Sequence, residues 1–392
     1  MKRYLFLLIF FISVTGCHAG EPAVEWPIGE VIEERSSERD CPPLRSDAAD
    51  PDEVPFILYE YLACRADDGE NLVFSPAAIY IALADLADDL DGADAQAIAE
   101  MLGHDSPQQL VQQAQDFREE LLERRPRGAS RSPSVFQDYE IAEEDPERLW
   151  KALGVEFFSI ECASSPPCHW HPQNGRWSES FLDDAQLPGE DADDVSRIQG
   201  FVLRGQWHRS SGVESSREFH IDEDEAIETT AYPAIPHQLG GDDDVTLIQR
   251  QTTGEEFAYI AIKSTTHTLP EIEQMLSSTI VGDWIASLEH NSHHTGAGVG
   301  FPAFDVEQTV DLEETFALPT ALQNTTRLAL TLEGMNFPET VELEYPQGLS
   351  PGLGGTFRDP PLSLNQPFIF LVYDHTSESI VVMGRIVDPT AE

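Results

Sequence analysis

The chain has 392 residues, 71 of them acidic against 23 basic, and a formal net charge of -48 at pH 7. A surface this negative repels nucleic acid and anionic headgroups, which excludes both as partners. With no convincing linker or repeat after residue 52, the length favours one large domain with a sizeable core over two smaller ones.

In chain order, Lys2-Arg3 precede an apolar run from Tyr4 to Val14. The run is too short to cross a bilayer and has the form of a signal-peptide core. It ends Val14-Thr15-Gly16-Cys17, which resembles the bacterial lipobox. Residues 1–16 are then a lipoprotein signal peptide, and Cys17 carries the acyl chains that anchor the mature protein. An ordinary signal peptide cut nearby is the alternative. His18 stands where a retention signal would place Asp, so the expected location is exported and lipid-anchored, on a bacterial outer membrane, periplasmic or at the cell surface. Residues 17–52 read as an acidic tether and 53–392 as a single domain, monomeric.

Five cysteines are present. With Cys17 lipidated, the remaining four suit disulfides in an exported chain. Three connectivities are open. Cys162 and Cys168 bracket a short Ser-Ser-Pro-Pro loop and are expected to pair, leaving Cys41 with Cys64.

Spacing predicts helices over Phe56–Ala63, from Ser75-Pro76 to Leu90, from Asp94 to Leu102, over 107–124, 144–153 and 174–185, through most of 269–288, and over Leu312–Ala317. Strands are expected at 71–74, 135–141, 155–160, 198–203, 245–251, 257–263 and 299–306, with a terminal pair at 367–373 and 380–387. The elements mix without regular βαβ alternation, which predicts an α+β fold around a large mixed or antiparallel sheet.

Several segments, in this order, resemble the serpin family: Asn71-Leu72-Val73-Phe74-Ser75-Pro76, Ile98-Ala99-Glu100-Met101-Leu102-Gly103, Ile198-Gln199 through Gly205-Gln206-Trp207, Phe301-Pro302-Ala303-Phe304, Asn365-Gln366-Pro367-Phe368, and Met383-Gly384-Arg385-Ile386. The similarity spans roughly residues 53–390. It implies three β-sheets, some eight or nine helices and an exposed reactive loop near the C-terminus. It further implies a suicide inhibitor of serine proteases, not an enzyme, with a serine protease as partner. The sheet-opening region would involve Ser75, Pro76 and Gln199, the last standing where the family has asparagine.

The tract from Gly348 to Ser363 reads as the cleavable loop. Val341-Glu342-Leu343-Glu344-Tyr345 alternates like a strand, so Gly348, Leu349, Ser350 and Pro351 fall at the expected hinge. Proline lacks an amide donor and suits sheet edges, and Gly352, Gly354 and Gly355 weaken strand formation. Counting forward from Gly348 puts the scissile bond at Leu362-Ser363. Counting back from Pro367 puts it near Thr356-Phe357, a disagreement of roughly 20 Å of extended chain. Arg358 suits a trypsin-like pocket, and Phe357 or Leu362 a chymotrypsin-like one. Three readings stay open: trapping by loop insertion, a non-inhibitory binding module or protease bait on the same fold, and tight reversible inhibition without insertion.

No cofactor is expected. Cys162-x5-Cys168-His169-Trp170-His171 has metal-ligand residue types, but an exported chain favours a loop disulfide with surface histidines. Asp89-x-Asp91-Gly92 echoes a calcium loop whose twelfth position would be Ile98, which cannot ligate calcium. Asp242-Asp243-Asp244 reads as a solvated turn. No nucleophile elbow, phosphate loop or dinucleotide fingerprint occurs.

Overall fold

The computed structural model describes Cys41 and residues 51–67, 69–90, 92–123, 140–141, 154–161, 169–171, 197–207, 215–222, 225–234, 238–252, 257–264, 266–290, 299–318, 322–331, 334–335, 343–344 and 362–391. These hold a 3-10 turn at Pro51–Glu53 and seven α-helices: α1 (Val54–Arg65), α2 (Pro76–Asp89), α3 (Ala93–Met101), α4 (Pro107–Glu123), α5 (Leu269–Met275), α6 (Ser278–His290) and α7 (Leu312–Phe316). The helices expected over 144–153 and 174–185 lie outside the described residues.

Strands, numbered in chain order, form three sheets. Sheet I runs β1 (Leu72–Phe74), β18 (Ser379–Ile386), β17 (Phe368–Asp374), β10 (Phe257–Ser264), β9 (Val245–Gln251) and β8 (Gln238–Gly241). Sheet II runs β16 (Leu362–Ser363), β11 (Val299–Pro302), β7 (Ala226–Ala234) and β6 (Ser215–His220). Sheet III runs β12 (Phe304–Asp311), β13 (Leu322–Leu330), β14 (Gly334–Met335), β5 (Arg197–Gln206), β3 (Gly154–Glu161) and β4 (His169–His171). A separate two-residue ladder joins β15 (Leu343–Glu344) to β2 (Glu140–Ile141).

Sheet I is buried on both faces, which is why β10 and β17 read as continuous apolar runs and not as alternating ones. Ile260, Ile262, Ile369 and Leu371 join a core with α1, α2 and α6. Tyr259, Ala261, Phe368 and Phe370 point the other way, into a core shared with Phe219 and Phe301 of sheet II and Leu203, Leu328 and Met335 of sheet III. Aromatic rings fill that second core. Tyr259 stacks on Phe370 at 5.7 Å between centroids and meets Trp207 edge-on at 6.4 Å.

Local chemistry explains several boundaries. Ser75 caps α2, its Oγ accepting from Ala78 N at 3.0 Å while donating to Val381 O at 2.7 Å, with Pro76 in the first turn. The expected single helix over 269–288 is two, α5 closing before Leu276 and α6 opening at Ser278. Asp242 is exposed, as expected of a solvated turn, and it also holds that turn together. Its carboxylate accepts from Asp244 N at 2.9 Å, Val245 N at 3.0 Å and Trp284 Nε1 at 2.7 Å. Partial burial pushes its pKa up, but these donors outweigh that and hold it below the usual carboxylate range.

Cys41 and Cys64 form a disulfide that ties the N-terminal segment to the end of α1. Cys17, Cys162 and Cys168 lie outside the described residues. Among the described residues no helix is long and apolar enough to cross a membrane, and no cluster of three His, Cys, Asp or Glu could hold a metal.

Candidate functional site: the seam in sheet III

Sheet III is antiparallel except at one place. β12–β13, β5–β3 and β3–β4 are antiparallel, whereas β13 and β5 run parallel. Their direct ladder is short, pairing Leu322 with Arg197, Gln323 with Ile198, Asn324 with Gln199 and Thr325 with Gly200. Beyond it the two strands separate, and β14 lies between them. Met335 pairs with both Leu330 of β13 and Gly205 of β5, and Gly334 pairs with Gln206, all antiparallel. β14 therefore enters the sheet as a two-residue wedge between β13 and β5. A parallel pair in an antiparallel sheet is the weaker kind of neighbour and can be replaced by a strand antiparallel to both.

Three residues hold the mouth of this seam. Trp207 Nε1 donates to Thr331 O at 3.0 Å, fastening the residue after β13 to the end of β5. Met335 is fully buried. Gly205 has no room for a side chain, since a Cβ there would lie 2.5 Å from Thr252 Cγ2 and 3.5 Å from Met335 Cε. This close approach gives the Gly-x-Trp motif at 205–207 a physical cause.

Below the wedge the seam is polar. Asn324 and Thr326 are fully buried on the core face of β13, with Thr326 Oγ1 3.4 Å from Asn324 Oδ1. Gln199 stands opposite Asn324 across the parallel ladder. α2, opened by Ser75 and Pro76, packs against both β5 and β13 from beneath. The three residues expected at a sheet-opening region therefore belong to the strand and helix that border the seam.

The far end of the loop is also anchored. Leu362 and Ser363 form β16, parallel to β11 through Val299–Leu362 and Gly300–Ser363. Leu364 N donates to Gly300 O at 2.9 Å, and Lys263 Nζ donates to Ser363 O at 2.8 Å. Burial pushes the Lys263 ammonium's pKa down from its ordinary value. The candidate bond Leu362-Ser363 is thus part of a sheet. Phe357, Arg358 and the expected hinge Gly348, Leu349, Ser350 and Pro351 lie outside the described residues.

Before the loop the described residues hold β13, a strand that spacing did not reveal, then β14 and, from the 341–345 stretch read as strand-like, β15 in its ladder with β2. Asn324, Met335 and Lys263 were missed as well. One signal could have found β14: Glu333-Gly334 is an earlier acidic-glycine pair, and apolar alternation runs on from Met335.

The described sheets match those of solved serpin structures. The chain aligns with uncleaved ovalbumin at a TM-score of 0.62 and 12% identity, over 89% of this chain and 100% of that one. It aligns with human kallistatin at 0.60 and 14%, over 88% and 98%. Thyroxine-binding globulin in complex with thyroxine gives 0.59 and 15%, over 88% and 99%. In sequence, neuroserpin of Gallus gallus is 21% identical over 381 residues, 86% of this chain and 91% of that protein. A serine proteinase inhibitor of Cavia porcellus is 24% identical over 222 residues, and the match spans about half of each chain (51% and 52%). No family model matches. The chain has the serpin fold, and its sequence is similar to those of neuroserpin and of serine proteinase inhibitors.

Proposed function

We propose that this protein is an exported inhibitor of serine-type endopeptidases, which offers the segment between β14 and β16 for cleavage and takes the freed strand into sheet III. The observation that carries this reading is the seam: one parallel pair, zipped over four residue pairs, with the chain's own β14 already wedged at its open end. A third strand would convert one parallel ladder into two antiparallel ones and bury alternate side chains. On this reading the hinge is Glu333-Gly334 and not Gly348–Pro351. Pro351 and the glycines after it then lie beyond the inserting strand, which removes the physical objection they raise.

The test is thermal. Protein nicked once within residues 345–361 is expected to melt well above the intact protein, because the nick lets the strand enter. Unchanged melting after nicking would overturn insertion.

A second reading is a non-inhibitory binding module, and one feature favours it. A groove of about 550 Å³ opens between α1, α2, α4, α6 and the β17–β18 turn, lined by Phe56, Tyr80, Phe117, Ile285, Tyr373 and Ile380 among others. That is the size and character of a small-molecule site. A pure binding module keeps its melting temperature when nicked.

The location proposed is the outer side of a bacterial membrane, with Cys17 as the lipid-bearing residue. Cys17→Ser is expected to move the protein from the membrane fraction to the soluble one, and retention in the membrane would sink that assignment.

A further inference from the structure

The corner between α3 and α4 is closed by a buried histidine. Gly103, at φ 79°, ends α3, and the amides of Gly103 and His104 donate to Glu100 O at 3.1 Å and to Ala99 O at 2.8 Å. The same turn buries His104, which is only 3% exposed. Its ring lies 5.8 Å from that of Tyr80 on α2, and Tyr80 meets Phe117 of α4 edge-on at 6.5 Å. His104 Nε2 is 2.9 Å from Tyr80 OH. His104 Nδ1 is buried, with no hydrogen-bond partner among the described residues. The position two residues past a helix end closed in this way ordinarily takes an apolar side chain. Here it takes a titratable one that the proposed function does not use.

We propose that His104 is an acid-released pin: as the neutral ring it holds the α3–α4 corner against α2, and as the imidazolium it leaves its site and frees the corner. Hydrogen bonding requires this for either tautomer. In the neutral ring one nitrogen carries a hydrogen and the other a lone pair, and Tyr80 OH serves Nε2 in either role. In the imidazolium both nitrogens carry hydrogens. Tyr80 must then accept, and its own hydrogen loses the ring as acceptor. Nδ1 presents a charged N–H to a site with no acceptor among the described residues. Keeping that donor buried costs more than exposing it to water.

The groups on the surrounding elements leave this intact. Burial pushes the Tyr80 hydroxyl up to about 12, so it keeps its proton. Arg118 of α4 pairs with Asp85 of α2 at 3.1 Å. Glu100 of α3 accepts from Gln96 Nε2 at 2.8 Å. Asp88 and Asp89 of α2, Asp94 of α3 and Asp116 of α4 are exposed. Asp105, exposed in the corner itself, is the charge that acts on the ring. It favours the cation, but burial outweighs it and pushes His104 below its ordinary pKa of 6.5. The closed corner therefore binds a proton less well than the open one. It is favoured above pH 6.5 and loses ground as the pH falls below that value. The open population rises by up to about tenfold for each pH unit, until the closed form itself titrates.

The experiment follows amide hydrogen exchange of the full chain at about pH 7.5 and about pH 5, corrected for the intrinsic effect of pH on exchange. Amides of residues 92–123 should exchange roughly tenfold faster in acid, while those of β10 and β17 hold. His104→Gln keeps an amide for Tyr80 OH and has no proton to gain, so its corner should be equally protected at both pH values. An equal acceleration in His104→Gln, or none in the natural chain, would overturn the proposal. Acceleration spread evenly into β10 and β17 would mean global acid unfolding and would overturn it too. Should the variant not fold, the natural chain with labelled histidine decides by magnetic resonance. The His104 ring should titrate together with the loss of protection in 92–123, and a ring that titrates while the corner stays closed would sink the pin.

Discussion

Replacing Gly384 with valine is expected to leave no folded protein. A Cβ at this position would lie 1.9 Å from Leu72 O and 2.7 Å from Phe370 Cζ. The first obstacle is backbone. Gly384 sits in β18, second in sheet I, opposite Val73 of the edge strand β1 on one side and Phe370 of β17 on the other. Relief would require β1 to detach, and Leu72, Val73 and Phe74 are all fully buried. Losing that burial costs several kcal/mol by the usual measure of about 25 cal/mol per Å², comparable to the whole stability of a domain. Expression as insoluble protein, or a soluble chain without a cooperative thermal transition, is the result that checks this. A variant with a normal melting curve would mean that β1 and β18 do not approach as described.

The second large effect is expected one residue on. Arg385 is 2% exposed. It donates to Glu273 Oε1 at 2.8 Å, to Glu70 O at 3.1 Å and to Asp67 O at 2.8 Å. Tyr59 OH donates to the same carboxylate oxygen at 2.9 Å. Burial first, and then the Glu273 charge, push the Tyr59 hydroxyl well above its ordinary pKa, so it stays a donor. One guanidinium therefore joins α1, the turn before β1, α5 and β18. Arg385→Leu leaves a part-buried carboxylate without its cation and takes one donor from each of two carbonyls, and should destabilise by about 3–5 kcal/mol. Glu273→Gln keeps a side-chain oxygen for Tyr59 and Arg385 and should lose clearly less. Urea unfolding of the two variants checks the order. Equal losses would show that the charge itself contributes little.

Both residues belong to the Met383-Gly384-Arg385-Ile386 motif, which was legible because close backbone contact and a buried cation each demand one residue type. The terminal hairpin was legible for a different reason: two strands buried on both faces read as plain apolar runs. β13 was not. Its core face carries Leu322, Asn324, Thr326, Leu328 and Leu330, and the two polar members break the period that marks a half-buried strand. The alternation at 341–345 is cleaner, so the strand before the loop was sought there. A pattern of side chains records which face a segment can bury, not whether it is buried now. Gln199 was found because it lies in a motif, while its partner Asn324 lies in none. β6 and β7 escaped because they are rich in Ser, Thr and Glu, and only partners in sheet II make them strands.

The bond between Cys41 and Cys64 bears on how the molecule would carry a mechanical load. Among the described residues, the chain before residues 51–53 is joined to the folded body at a sulfur linked to the last turn of α1. A pull from that direction is delivered into the distal end of α1, and the proximal turn is spared. The linkage converts unzipping, where contacts fail one after another, into shear, where they must fail together. A body held by its leading end would thus take the load at the closing turn of that helix.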